Sequence, residues 1–417
     1  MTHASRCLVV FLLLISATVT GCAQRAVSDW PQWRGPQRTD LSDETGLLRE
    51  WPADGPKLLW KVEDCGVGFS GPAVVGNTLY ILGARGGIEQ LSARDVKSGK
   101  ERWARDVGEV FEIARGDGPR CTATVVGDRV YALGAHGNLV CARATNGELL
   151  WNVSLLDLGG SPPKWGYCES VLVDGGRVIC TPGGAEGALA ALDATNGDVL
   201  WQSKEFTDEA QYASPIVFEW GGERQYVQLT MKSLVGVRAS DGKVLWKSEW
   251  PGETAVIPTP VYRDGHVFIT SGYGVGCKLV RLGTDFSVTD VYANKVMKNQ
   301  HGGVILLGDH LYGYSDQRGW TCQDFATGET VWTEEEKLGK GAIAYADGRF
   351  YCFTEKEGWV VLIDATPSGW NERGRFQLLP DSKLRQERWR RWTHPVVTGG
   401  RLYLRNQELL FCYDVQR

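Results

Sequence analysis

The chain has 417 residues, 43% of them hydrophobic, and a formal net charge of −5. That length allows a sizeable buried core, and the mild acidity gives no electrostatic footing for nucleic acid. The 52 glycines suit a chain made mostly of tight turns, and no long stretch keeps apolar residues at helical spacing, which excludes a helical fold.

At the N-terminus, residues 1–21 read as a targeting segment, with Arg6 ahead of an apolar run from Cys7 to Thr20 that is too short to span a bilayer. The run ends in Val19-Thr20-Gly21-Cys22, which resembles the bacterial lipobox, so Cys22 is the expected lipidation site. The expected location is the cell envelope. Lipidation places the chain on the periplasmic side of the outer membrane, held there by its lipid; without it the protein is periplasmic or secreted. Residues 22–56 read as a lipid-anchored linker, in which Trp30 and Trp33 are expected to cover a face of the domain that follows.

From residue 57 to 417 one phrase keeps returning. Its clearest copies run Asp95–Trp103, Arg143–Trp151, Asp193–Trp201, Arg238–Trp246 and Asp324–Trp332, about 45–50 residues apart where they are consecutive. Such a period indicates a propeller or solenoid. In each copy a Ser, Asn, Asp or Thr before glycine makes a tight turn, and the next strand ends on a large aromatic. Upstream of each phrase lie two further strands around a Gly/Asp turn, as in Pro72–Gly83 and Thr122–Gly134. Each unit therefore carries four short antiparallel strands, one propeller blade.

Two copies are worn, Leu282–Tyr292 and Asp364–Phe376. The last unit, His394–Val415, supplies only three strands. Its fourth is expected from Lys57–Val62, which carries Trp60 and has no unit before it. The expectation is an all-β, eight-bladed propeller of four-stranded antiparallel blades, closed by an N-terminal strand. Seven blades remain the alternative if a worn copy is an insertion. Trp60, Trp103, Trp151, Trp201, Trp246 and Trp332 are expected to hold the blades together, because a buried indole removes about 150–250 Å² from water.

Eleven cysteines include Cys7 and Cys22; of the remaining nine, Cys141, Cys180, Cys352 and Cys412 fall inside strands, as small buried hydrophobes do. No C-x-x-C pair supports a zinc or thioredoxin site.

Ala191–Trp201 (ALDATNGDVLW) resembles the repeat of the pyrroloquinoline quinone (PQQ) propeller superfamily. That superfamily holds quinoprotein alcohol dehydrogenases and the BamB-like lipoprotein of the outer-membrane barrel-assembly machine. Asp29–Pro36, Gly116–Cys141 and Pro163–Ser170 look like secreted PQQ-like repeat proteins of planctomycete-type bacteria. For the enzymes, the resemblance implies PQQ, a Ca²⁺ ion and a carboxylate base. This chain has no adjacent cysteine pair, no C-x-x-C-H haem motif and no recognisable calcium trio, so no catalytic and no metal-binding residue is assigned.

Axial candidates are the residues at the starts of the innermost strands: Ser70, Arg120, Glu169, Ser214, Thr259, His301, Lys340 and His394. Arg120 and Glu169 are expected to pair across neighbouring blades, and His301, Lys340 and His394 to form a cationic arc able to hold an acidic ligand. The basic-aromatic stretch Lys383–Trp392 is expected to lie over the rim. The leading expectation is a non-catalytic binding or scaffold module with a protein partner at a propeller face. The rivals are a PQQ- and calcium-dependent oxidoreductase for alcohols or sugars, and a polysaccharide- or peptide-binding propeller.

Overall fold

The computed structural model describes Met1 and residues 29–417. The body of the targeting segment and Cys22 lie outside the described residues. Eight sheets surround a central channel; seven have four strands and one has five. Both worn copies are complete blades, ending on the strands Val288–Asn294 and Glu372–Gln377. Eight blades, not seven, make the ring.

Closure follows the expected route. Lys57–Val62 pairs antiparallel with Leu409–Asp414, so that Trp60 stands opposite Cys412 and Lys61 opposite Phe411. The head of the domain thus supplies the outermost strand of the last blade. Leu409–Asp414 is thereby paired on both sides, with Lys57–Val62 outside it and Arg401–Asn406 inside.

The structure shows why tryptophan and turn glycine recur together. Each indole lies against the turn of the next blade and donates its N–H to a carbonyl there. Trp60 bonds Val96, Trp103 bonds Ala144, Trp151 bonds Ala194, Trp201 bonds Ala239 and Trp332 bonds Thr366, at 3.0–3.3 Å. In the worn fifth copy Tyr292 makes the same bond through its hydroxyl, to Phe325. The turn glycine is needed twice over. Gly242 has φ +76°, and a Cβ there would lie 2.5 Å from the Trp201 ring. Only a residue without a side chain meets both demands.

Trp246 departs from the pattern. It is buried, but its N–H goes to Gln225 within its own blade, and Trp220 makes the contact to the fifth blade through Gly283. The core fills the space between blades; one cluster joins Tyr80, Tyr131, Trp151, Val178 and Leu192 across three sheets.

Residues 29–56 are not a free linker. Residues 29–42 lie across the central channel and bond to its walls. Trp30 bridges Val74, and the Val125 amide donates to the Pro31 carbonyl. Leu41–Ser42 adds a parallel strand inside Gly341–Ala346, and Ser42 Oγ donates to the Val397 carbonyl. Arginine and tryptophan side chains reach further. Arg34 donates to Val304 O at 2.5 Å, Arg38 to Ser170 O at 2.5 Å, and Trp33 Nε1 to Thr259 Oγ1 at 3.0 Å. Together these contacts reach every blade except the fourth.

The physical reason is the inner edge of each innermost strand, whose peptide groups need partners once water is displaced. Arg34, Arg38 and Asp40 all take left-handed backbone conformations, φ 59–60°. Such strain costs about 1–3 kcal/mol per residue and persists because the buried contacts over-determine it. Further on, Trp51 is buried against Tyr351 and Phe376, which binds the chain beneath the seventh blade before it enters the closing strand.

Candidate functional site

Where the innermost strands begin, their entry loops enclose a cavity of about 490 Å³, floored by Trp33 and Arg34 of the channel segment. Five of the axial candidates line it: Arg120, Ser214, Thr259, His301 and His394. Glu169, Lys340 and Ser70 do not.

The expected Arg120–Glu169 ion pair is not formed. Arg120 is clamped by backbone carbonyls, donating to Gly116 O at 2.5 Å and to Gly118 O. Its guanidinium lies between the rings of Phe69 and Phe111, 5.5 and 5.3 Å from their centroids. Burial pulls its pKa down, against the opposing pull of neighbours that include Glu89 and Asp117. Among the described residues no carboxylate forms an ion pair with it. Glu169 turns away from the cavity, accepting from the Thr181 amide at 2.5 Å and from Gln228 at 3.3 Å. Burial pushes its carboxyl up to about 7, which Thr181 and Arg38 only partly offset.

The cationic arc dissolves as well. Lys340 is bound to Asp316 at 2.8 Å, outside the cavity. His301 is pushed down to about 3, by burial first and then by Lys340 and His394, so it is neutral at ordinary pH. His394 is held on both ring nitrogens, 3.1 Å from Asp40 Oδ2 and 2.7 Å from the His301 carbonyl. Asp40 also accepts from Arg34 at 2.6 Å. Burial alone would raise its pKa, but Arg34 and His394 outweigh that and hold it below the usual carboxylate value.

Ser214 and Thr259 act as staples between parts of the ring. Ser214 Oγ accepts from the Ser170 amide of the neighbouring blade at 2.9 Å, and Thr259 Oγ1 accepts from Trp33. The same device recurs one blade back, where Ser170 Oγ accepts from the Thr122 amide.

Much of the wall comes from residues outside the axial set. Trp165 and Tyr212 pack together at 5.7 Å, and Trp392 stacks on His301 with centroids 4.4 Å apart and planes at 12°. Phe69 meets Trp392 at 5.0 Å, so aromatic faces and the Arg120 guanidinium form one continuous run along the wall. Arg115 and Arg390 add two more guanidiniums. The basic-aromatic stretch was the available signal: Arg385 and Arg391 anchor it on Asp381, which leaves Arg390 and Trp392 on the cavity side.

The nine described cysteines are free thiols, all buried except half-buried Cys168. Cys168 lines the cavity, but burial pushes its thiol up to about 12.

This fold defines the chain as a PQQ-like repeat propeller. More narrowly, it belongs to the family described as outer membrane protein assembly factor BamB, whose model matches residues 89–334, more than half of the sequence. No curated protein matches the sequence significantly. Among solved structures, BamB from Moraxella catarrhalis is similar at 14% identity and TM-score 0.61, over 86% of this chain and 99% of that one. A europium-containing methanol dehydrogenase is similar at 12% identity and TM-score 0.64, over 90% and 89%. The quinohemoprotein alcohol dehydrogenase of Comamonas testosteroni gives 12% and 0.63, over 93% and 80%. At these identities the likeness is one of fold.

The calcium that the dehydrogenase resemblance implies does not fit this cavity. Ca²⁺ takes six to eight oxygen ligands, carboxylates prominent among them. Among the described lining residues Glu355 is the only carboxylate, and it already accepts from Trp392 Nε1 at 3.1 Å. Burial raises its pKa, which further disfavours the charged form a metal needs.

Proposed function

We propose that this chain is a non-catalytic binding propeller of the cell envelope, lipid-anchored through Cys22, that holds a protein partner on one face of the ring. Membership of the outer-membrane assembly-factor family supports the location and the general role. The observation that carries the reading is the cavity wall itself. It combines arginines, aromatic faces and bonded hydroxyls with a single occupied carboxylate. That wall suits recognition and offers poor support for metal-assisted proton abstraction. The channel segment adds rigidity, since a ring bonded across its own axis presents its loops at fixed positions.

The experiment is site-specific photo-crosslinking in intact envelopes, with the reactive group at exposed Lys164 or Tyr273 on the cavity face. A discrete adduct with a component of the barrel-assembly machinery is the expected result. Adducts only with copies of the chain itself, from positions on both faces, would remove the scaffold reading.

A further inference from the structure

We infer that the central cavity binds an acidic saccharide, a sugar ring bearing a carboxylate, with Arg120 as the residue that reads the charge. This goes beyond the scaffold reading and stands apart from it, because the ligand is detected on the isolated chain and the partner only in the envelope.

Charge is the first argument. Arg115, Arg120 and Arg390 line the cavity, and none forms an ion pair among the described residues. Among the described residues the Arg390 side chain bonds only the Glu387 and Trp389 carbonyls, and Arg120 only those of Gly116 and Gly118. Three guanidiniums facing one carboxylate leave an excess of positive charge that an anionic ligand would neutralise. A guanidinium meets a carboxylate through two parallel hydrogen bonds, so a carboxylate is the anion best matched to Arg120.

Shape and hydrogen bonding narrow the class. Trp165 and the Trp392–His301 stack supply flat apolar platforms of the kind on which a sugar's C–H face can lie. Between them stand three hydroxyls with an unusual balance. Ser214, Thr259 and Tyr212 each accept one bond, from the Ser170 amide, Trp33 Nε1 and the Trp165 amide respectively. Among the described residues none has an acceptor for its own proton, so each can donate to a ligand hydroxyl. Nδ1 of His301 is likewise without a hydrogen-bond partner among the described residues. A flat aromatic acid would satisfy the arginines but leave these hydroxyl donors unmatched, whereas a neutral sugar would do the reverse. The volume, about 490 Å³, falls within the range of small-molecule sites.

The test is calorimetric titration of the full chain with digalacturonate, with the neutral disaccharide lactose and with benzene-1,3,5-tricarboxylate. Digalacturonate is expected to bind at least tenfold more tightly than either other probe. Arg120→Gln is expected to weaken it about tenfold to a hundredfold, the scale of a charge-assisted hydrogen bond. Because Arg120 also clamps its own loop, exposed Arg115→Gln serves as a second variant and should weaken binding with the melting temperature unchanged. Equal binding of lactose, preference for the aromatic tricarboxylate, no binding of digalacturonate at millimolar concentration, or full binding by the well-folded Arg115→Gln variant would each overturn the inference.

Discussion

The Trp60 indole donates to the Val96 carbonyl at 3.0 Å, so the strand that completes the eighth blade is also pinned to the first. The same bond, repeated blade to blade, turns a row of separate sheets into a cooperative ring. It also explains why the sequence repeats an aromatic and a glycine about 45–50 residues apart. The aromatic of one blade and the glycine of the next are a single contact.

Removing one pin should loosen one seam. Trp201 is half-buried, with its ring on Gly242 and its N–H on Ala239. Trp201→Ala is expected to cost about 2–4 kcal/mol, somewhat less than a fully buried indole. Trp201→Phe keeps a smaller aromatic ring and loses the bond, at about 1–2 kcal/mol. Urea melts of both variants check the order; equal losses would rule out a packing role for the ring, and no loss in Trp201→Phe would rule out a role for the hydrogen bond.

Gly242→Ala approaches the same seam from the other side. It places a Cβ against the Trp201 ring and forces a positive φ on alanine, for an expected loss of about 1–3 kcal/mol. At Gly76, whose φ is also positive but whose Cβ would meet nothing within 4 Å, only the backbone share of that loss should appear. A thermal-melt comparison of the two variants separates strain from collision.

The channel segment should matter to the whole ring. Arg34 and Asp40 are both buried and bonded at 2.6 Å. Arg34→Met strands the Asp40 charge and is expected to cost about 3–5 kcal/mol, the usual loss when one partner of a buried pair goes. His394 still contacts Asp40 in that variant, which favours the lower end. Denaturant titration gives the number; a loss below about 1 kcal/mol would show that the segment only rests in the channel.

Glu169 makes stability depend on pH in an unusual direction. Its carboxyl is pushed from 4.5 up to about 7, so the folded protein holds a proton there that the unfolded chain releases. Its contribution is complete below pH 4.5 and is lost as pH rises through 7, by about 3 kcal/mol at most. Glu169→Gln should therefore flatten the stability profile between pH 4.5 and 7 and raise the melting temperature at pH 8. An unchanged slope would mean that Glu169 does not titrate in this interval.

Most of the ring can be read from local sequence because each blade repeats the same short-range chemistry. Lys57–Val62 was recognisable as the closing strand because it carried a tryptophan without a unit around it. The site is less legible because it depends on side-chain direction. Glu169 and Arg120 begin neighbouring strands, yet one points into the inter-blade core and the other towards the cavity. Lys340 was drawn away by Asp316, a partner 24 residues distant. Residues 29–42 looked like linker since they lack strand periodicity; their order comes from bonds to seven blades that no local pattern encodes. The Trp246 exception has a similar origin, as Gln225 captured its N–H from within the blade.

The central claim, that the cavity recognises a ligand without transforming it, is tested most directly by dye-linked turnover after loading the full chain with PQQ and Ca²⁺. Over a panel of alcohols and sugars, the expected rate is no greater than that of Glu355→Gln treated identically. Substrate-dependent dye reduction that Glu355→Gln abolishes would contradict it, since Glu355 is the one carboxylate on the described wall that could serve as base.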